Sequence, residues 1–347
     1  MTRRQRHPVV TTAAAVVTMS AAAAGLSAGV LRWRRGGPVA LPDLTRRTAL
    51  ITGGTTGIGR ATATALARAG ATVVLTSRDA ERGAAVADEL GEVARGGVSA
   101  LVLDLADPAS VRAAAASFRA DHDRLDLLIH NAGRMVGQRT TTPDGFEATL
   151  ATNHLGPTLL TAELLGLVAA SAPARIVVLA SLAHREGRLD LDDLQNTRGP
   201  YRALQVYASA KLANVLFTRE LARRLEGSGV TVNCCHPGTI RSGFGQDGDS
   251  RGLLRTLLTI ARPVFPGPEV GARAPLYLAT ASELEGITGA YLDGRRVARP
   301  SRAAQDDALA RGLWERTAQL LDLPRDWPEA AVLGTDPVST APPSDGR

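Results

Sequence analysis

The feature that most constrains this chain is an alternation. Short apolar runs at residues 48–52, 71–77, 98–105, 126–131, 175–181 and 230–235 are separated by stretches of helical periodicity at 60–69, 79–94, 108–120, 146–170 and 201–225. A further short run at 289–293 fits a seventh strand. Strands that are apolar along their whole length are buried on both faces, and strands joined through helices run parallel. The pattern therefore predicts an α/β fold, a doubly wound parallel sheet of about seven strands with helices on both faces and right-handed connections. Aromatic residues are only 3% of the chain, so its core must be aliphatic.

The first strand runs straight into a glycine-rich turn, Thr52-Gly53-Gly54-Thr55-Thr56-Gly57-Ile58-Gly59, which opens the first helix. Glycines there let a backbone approach a pyrophosphate, and a helix N-terminus favours its charge. This strand–turn–helix context makes the sheet one of the Rossmann, dinucleotide-binding type. At the end of the second strand an acid would take the 2′-hydroxyl of NAD, whereas an arginine takes the 2′-phosphate of NADP. The chain has Ser77-Arg78 there, with Arg60 following the last glycine. NADP(H) is the expected cofactor, with NAD(H) the weaker fit. Asp79 is read as a helix cap.

Tyr207 and Lys211 lie four apart in a predicted helix and so share one face. An ammonium beside a phenol favours the phenolate, so the Tyr207 pKa is expected to fall towards neutrality. A phenol so poised can give a proton to a carbonyl oxygen or take one from an alcohol. By spacing alone, a helix face with one aromatic and one basic residue fits equally well. Lys211, however, is the only lysine in a chain whose other basic residues are arginines. A compact ammonium on a flexible stem is not replaced by a planar guanidinium.

The net charge of +6 is unevenly placed. Residues 1–47 hold eight arginines and one acid, Asp43, a balance of +7, which leaves −1 for the remainder. The body of the chain has no basic stripe for a nucleic-acid backbone. The adjacent cysteines Cys234 and Cys235 point to opposite faces of a strand, and no spacing suits a metal. Residues 9–31 are uncharged and flanked by arginines, a length that suits a membrane span. A cleaved signal peptide and an upstream mis-assigned start fit the same stretch. The expected layout is an anchor or signal-like segment at 1–35, a linker at 36–47, a cofactor-binding catalytic domain at 48–326 and a disordered tail at 327–347. The catalytic domain is expected on the cytoplasmic side of a membrane, or free in the cytoplasm if the segment does not anchor.

These motifs, with others in the same order, resemble the short-chain dehydrogenase/reductase family of the single-domain type. The matching segments are Thr52–Gly59, Asp104-Leu105, His130-Asn131-Ala132-Gly133, Thr152-Asn153-His154-Leu155-Gly156, Ser181, Tyr207/Lys211 and His236-Pro237-Gly238-Thr239. Together they cover about residues 46–295. Asn153-His154-Leu155-Gly156, Ser181-Leu182-Ala183-His184 and Lys211-Leu212-Ala213-Asn214 resemble the retinol dehydrogenase-like branch, which includes the WW-domain oxidoreductase. The chain departs from that branch at His130, in place of an asparagine, and at Pro157, in place of a histidine.

The resemblance implies an oxidoreductase that interconverts a carbonyl and an alcohol. It implies a catalytic set of Asn153, Ser181, Tyr207 and Lys211, with Tyr207 as acid or base. Lys211 would also bond the nicotinamide ribose, Ser181 would donate to the substrate oxygen, and Asn153 would hold a relay water. It further implies cofactor contacts from Gly53, Thr55, Thr56, Gly57, Ile58, Gly59, Arg60, Ser77, Arg78, Asp104, Leu105, Asn131, Ala132, Gly133, Pro237, Gly238 and Thr239. Residues 240–268 are expected to cover a hydrophobic substrate, and related enzymes form homo-oligomers. A non-catalytic NADP-binding redox sensor or an interaction protein is the alternative.

Overall fold

The computed structural model describes residues 37–238, 240, 266–324, 327 and 328. Eight strands form one sheet in the order β3-β2-β1-β4-β5-β6-β7-β8. They are β1 (Thr48–Ile51), β2 (Thr72–Ser77), β3 (Val98–Val102), β4 (Leu127–His130), β5 (Ala174–Leu179), β6 (Val230–His236), β7 (Tyr291–Asp293) and β8 (Arg296–Ala298). β1 to β7 pair in parallel, and β8 returns antiparallel on β7. β8 is the strand the apolar pattern does not announce. It is three residues long and largely exposed, so it needs no apolar run.

The order turns back between β1 and β4, where the chain leaves β1 for β2 on one side and later returns to β4 on the other. In such sheets ligands bind outside the carboxyl ends of the strands at that crevice. Register places Leu50 opposite Val74 and Leu128, so neighbouring strands contribute to the same face.

The strands are continuous apolar runs because both faces are covered. Leu50, Leu128, Ile176, Val178, Val232 and Cys234 pack on one face, against α3 (Pro108–Asp121), α4 (148–170), α5 (Ala203–Arg224) and α7 (Asp307–Leu321). Ile51, Leu75, Ile129, Val177, Leu179 and Cys235 pack on the other, against α1 (Gly57–Arg68), α2 (Ala80–Gly91) and α6 (Pro268–Thr280). The strand alternation sends Cys234 and Cys235 into different cores, and both are free thiols. Fully burying one such leucine or isoleucine stabilises the fold by about 1.5–3 kcal/mol.

α4 is built in three pieces: an α turn at Ala148–Leu150, a π turn at Ala151–Leu155 and an α segment at Gly156–Ala170. Asp79, Asp107 and Asp306 cap α2, α3 and α7 through their carboxylates.

The stretch read as a linker lies against the domain. Leu44 is buried and its N–H donates to the Ala69 carbonyl at 2.8 Å, while Val39 and Leu41 pack on the second core. Trp327, at the start of the stretch read as a tail, is buried and stacks on Trp314 with ring centroids 4.3 Å apart. The anchor-like segment 9–31, Thr239 and most of the covering segment 240–268 lie outside the described residues. Among the described residues no helix is long and apolar enough to cross a membrane.

Candidate active site

The glycine turn is held by the end of β4. The Thr52 hydroxyl accepts from the N–H groups of Asn131 and Ala132, each at 3.0 Å. The Asn131 amide donates back to the carbonyls of Thr52 at 2.9 Å and Gly53 at 3.2 Å. The Asn131 side chain is thus spent on clamping the turn across the sheet's crevice. Gly53 has φ +65°, open to glycine without strain. A Cβ on Gly59 would lie 2.2 Å from the Gly53 carbonyl oxygen, so only glycine lets α1 close on the turn.

α1 begins at Gly57, three residues earlier than its periodicity suggests, because the glycines add no apolar signal. Thr56 is extended at the N-cap and makes no side-chain cap bond. The first N–H groups of α1 are therefore left for an anion, which suits a pyrophosphate. Thr55 is half-buried and Thr56 exposed, while Ile58 packs against Gly271 of α6.

At the end of β2 the Ser77 hydroxyl accepts from the Asp79 N–H at 3.1 Å, and Asp79 caps α2 by accepting from Arg82 N–H. The acid next to the ribose position is therefore occupied. Arg78 is exposed and makes no side-chain hydrogen bond or ion pair with the described residues. Arg60, expected to assist it, is paired with Glu89 between α1 and α2. Asp104 closes the turn after β3, its carboxylate accepting from Ala106 N–H at 2.9 Å. Leu105 is buried, and its carbonyl lies against Gly156 at the joint of the π and α pieces of α4.

Asn153 sits in that π turn, which gives its amide an unusual direction for a helix residue. Its Nδ2 donates to the Arg134 carbonyl at 2.6 Å and the Thr149 carbonyl at 2.7 Å, and its Oδ1 accepts from Arg134 N–H at 3.3 Å. Lys211 reaches the same place from α5. A Cβ on Gly133 would lie 3.0 Å from Asn153 Oδ1 and 3.2 Å from Lys211 Nζ, so the absent side chain leaves room between them. That gap and the uncapped α1 together fit a dinucleotide laid over residues 131–133.

Lys211 Nζ donates to the Leu179 carbonyl at 3.0 Å and lies 5.7 Å from the Tyr207 ring centroid. Burial lowers the Lys211 ammonium from 10.5 to about 8. Burial also pushes the Tyr207 phenol up to about 12, against the opposing hydrogen bond from Ser181. The expectation of a phenol shifted towards neutrality is therefore reversed in the protein itself. Loss of hydration outweighs a charge that lies across the ring and is bonded to a carbonyl. The Ser181 hydroxyl accepts from Ala183 N–H at 3.2 Å, which turns its own hydrogen away from that amide.

At the end of β6, Pro237 and Gly238 are half-buried, and Gly238 N–H donates to His236 Nδ1 at 3.2 Å. His130, the first departure from the branch pattern, is buried below the site. Its Nε2 is 2.8 Å from Thr161 Oγ1, whose hydroxyl donates to the carbonyl of Pro157, the second departure. Burial lowers His130 to about 3, so it is neutral.

Sequence reasoning missed Glu147, which is fully buried and accepts from the N–H groups of Thr149 and Leu150 and from Tyr201 Oη at 2.9 Å. It fixes the start of α4 two turns before Asn153. The signal was a lone acid before an apolar helix, which reads as a surface residue. Among the described residues no group of three or more His, Cys, Asp or Glu could hold a metal.

A dinucleotide-type sheet, a clamped glycine turn and a Tyr–Lys–Ser–Asn cluster at one crevice define a nicotinamide-dependent oxidoreductase. The short chain dehydrogenase family model matches residues 47–251, and the chain belongs to that family. It is 44% identical over 282 residues to human retinol dehydrogenase 13, covering 80% of this chain and 85% of that one, which sets it in the retinol dehydrogenase-like branch. A crystal structure of a Mycobacterium paratuberculosis protein is 34% identical, with a TM-score of 0.65 over 82% of this chain and 96% of that one. The Pseudomonas aeruginosa RhlG/NADP active-site complex is 28% identical, with a TM-score of 0.57 over 72% of this chain and 95% of that one. The protein is an enzyme acting on CH–OH groups, interconverting carbonyl and alcohol with a nicotinamide dinucleotide.

Proposed function

We propose that this enzyme uses NADP(H) and acts on a hydrophobic carbonyl or its primary or secondary alcohol, with Tyr207 as the group that gives or takes the proton. The observation that carries the proposal is the convergence of Asn153 Oδ1 and Lys211 Nζ on Gly133, beside a Tyr207 phenol hydrogen-bonded to Ser181.

When bound, NADP(H) supplies or accepts the hydride. The α1 N-terminus and the turn Gly53, Thr55, Thr56, Gly57, Ile58, Gly59 would hold its pyrophosphate. Ser77 and Arg78 would hold the 2′-phosphate, Asp104 and Leu105 the adenine, and Ala132, Gly133, Pro237, Gly238 and Thr239 the nicotinamide end. Ser181 already directs a hydrogen bond at the Tyr207 oxygen, and a substrate oxygen seated between them would accept from both. A phenol at about 12 is protonated at neutral pH, the form needed for carbonyl reduction. Asn153 would hold a water beside Lys211, from which the proton is replaced.

Two observations favour an apolar substrate. Leu182, beside Ser181, is 47% exposed, and Leu204, one turn before Tyr207, is 61% exposed. These are large apolar side chains left open next to the reacting pair. The human relative is named for retinol, itself an apolar alcohol. Residues 9–31 are proposed to tether the enzyme to a membrane, where such substrates dissolve.

The test is a panel of aliphatic aldehydes, cyclic ketones and all-trans-retinal with NADPH and NADH, followed by reduced-nicotinamide absorbance. Turnover with NADPH is expected, lost in Tyr207→Phe while NADPH binding persists. Near-normal turnover in that variant removes Tyr207 from its role.

A further inference from the structure

Two histidines behind the site are held in opposite tautomers, and both rings pack on Tyr291. His184 follows Ser181 by one turn and is fully buried. Its Nε2 accepts from Ser301 N–H at 3.1 Å, so the ring hydrogen is on Nδ1. That Nδ1–H donates to the Ser181 carbonyl at 2.7 Å, beside the backbone bond from His184 N–H at 3.1 Å. His236 ends β6. Its Nδ1 accepts from Gly238 N–H, which leaves the hydrogen on Nε2, 3.1 Å from Asp293 Oδ1. The centroid of the Tyr291 ring is 4.8 Å from that of His184 and 5.9 Å from that of His236. The buried Tyr291 hydroxyl has no partner among the described residues, so Tyr291 serves through its ring.

We propose that His184 and His236, packed against Tyr291, are positioning residues: His184 sets Ser181 for the substrate oxygen, and His236 sets the Pro237–Gly238 turn for the nicotinamide. The inference rests on the site reading above. It adds a division of labour between two residues outside the catalytic set of Asn153, Ser181, Tyr207 and Lys211.

The Ser181 carbonyl is fixed by two donors from one residue, and only the ring donor is tied elsewhere. His184 connects it to Ser301, and the next residue, Arg185, donates to the Arg299 carbonyl at 2.9 Å. The serine at the end of β5 is thus tied to the chain beyond β8. On the other side, the Gly238 N–H in a left-handed turn (φ +76°) is satisfied by a side chain from the strand before it. A neutral imidazole supplies one donor and one acceptor, and each site uses both. Protonation would oppose a ring N–H to the Ser301 or the Gly238 N–H. Burial lowers both imidazoles, which is consistent with their staying neutral.

The test uses the full chain and substitutions that keep a flat ring on Tyr291 but remove the hydrogen bonds. His184→Phe is expected to lower kcat/KM for the best carbonyl of the panel by about tenfold to a hundredfold, the scale of a misplaced reacting group, with NADPH affinity unchanged. His236→Phe is expected to weaken NADPH binding by about fivefold, the scale of one lost hydrogen bond, with a smaller effect on carbonyl kcat/KM. Asparagine places an amide where each Nδ1 stood but does not reach the partner of Nε2, so His184→Asn and His236→Asn are expected to restore part of the respective loss, the share carried by the Nδ1 bond. Thermal melts screen out variants that fail to fold. Phenylalanine variants that keep both parameters, or that move the same one, overturn the proposal. So does an asparagine variant as impaired as its phenylalanine counterpart.

Histidine 15N NMR decides the geometry without turnover. Nδ1–H at position 184 and Nε2–H at 236 are expected, and the same tautomer at both overturns the assignment. A wild type that reduces no carbonyl in the panel defeats the function reading instead. The positioning idea is then judged on the tautomers and on NADPH affinity in His236→Phe.

Discussion

At the scale of single residues, the Tyr207–Lys211 pair was visible as a motif but not in its energetics. Spacing placed both on one face of α5, whereas their protonation is governed by how deeply the fold buries them. Below about pH 8 the folded protein carries the full cost of a buried Lys211 ammonium. Between about 8 and 10.5 the unfolded chain holds more protons than the folded one, so stability rises with pH. Tyr207 acts in reverse, because from 10 to about 12 the folded state keeps a proton the unfolded chain has lost, and stability falls. Lys211→Met should therefore stabilise the protein without cofactor at pH 7, by on the order of 1–3 kcal/mol, while abolishing turnover. Urea titrations at pH 7 and pH 10 test this, with the gain expected to shrink at the higher pH. A variant less stable than wild type at pH 7 contradicts a costly ammonium. Arg78 is a second case. Arg60 is paired with Glu89, so the larger share of discrimination is expected to fall on Arg78. A charged contact to phosphate contributes about 1.5–3 kcal/mol, so Arg78→Ala should narrow the NADPH preference by roughly tenfold to a hundredfold. Equal affinity of the wild type for NADH and NADPH removes the assignment.

At the scale of elements, the order of strands and helices was readable because each parallel strand is an unbroken apolar run. What escaped was whatever lacks that signature. β8 is short and exposed, α1 starts inside a glycine turn, and α4 reads as one long helix although a π turn interrupts it at Asn153. Nothing in Ala151–Leu155 signals an extra residue in that turn, since its apolar spacing suits either helix. The histidine pair was unreadable for another reason: Ser181, His184, His236 and Tyr291 are brought together only by strand order. The same holds for α7. Trp314 stacks between Phe217 of α5, at 5.8 Å, and Trp327, at 4.3 Å, with the Arg224 guanidinium 4.6 Å from its ring. In a core built mainly of aliphatic side chains, this cluster packs on the helix that carries Tyr207. Truncating a buried tryptophan costs about 3–5 kcal/mol. Trp314→Ala should lower stability by that amount in denaturant titration, and NADPH affinity at a temperature where the variant is folded should stay within about twofold of wild type. A loss below about 1 kcal/mol would show that α7 is not held by this stack.

At the scale of the whole molecule, charge and hydropathy divide the chain into two unlike parts. Residues 1–47 carry +7 and the remainder −1. The domain beyond residue 47 carries no such excess, and its arginines pair with acids of its own, as in Arg124 with Asp126 and Arg224 with Glu220. The arginines flanking residues 9–31 stand three on each side, which suits anionic headgroups at about 1 kcal/mol per basic residue near the surface. Between them, eight of 23 residues are Val, Leu or Met, eight are alanine and seven are Thr, Ser or Gly. That is long enough to span but only weakly apolar, so electrostatic attachment and insertion both contribute to the expected tether. NADPH is a cytoplasmic cofactor, and buried free thiols at Cys234 and Cys235 suit a reducing compartment, so the domain is expected on the cytoplasmic side. A salt wash followed by a carbonate wash of membranes from cells making the full chain separates the contributions. Full-length protein retained in the carbonate pellet supports insertion, and release by carbonate after resisting salt supports a surface-bound helix. Recovery of all the enzyme in the first soluble fraction, or a mature N-terminus near Gly29 outside the cytoplasm, removes the tether.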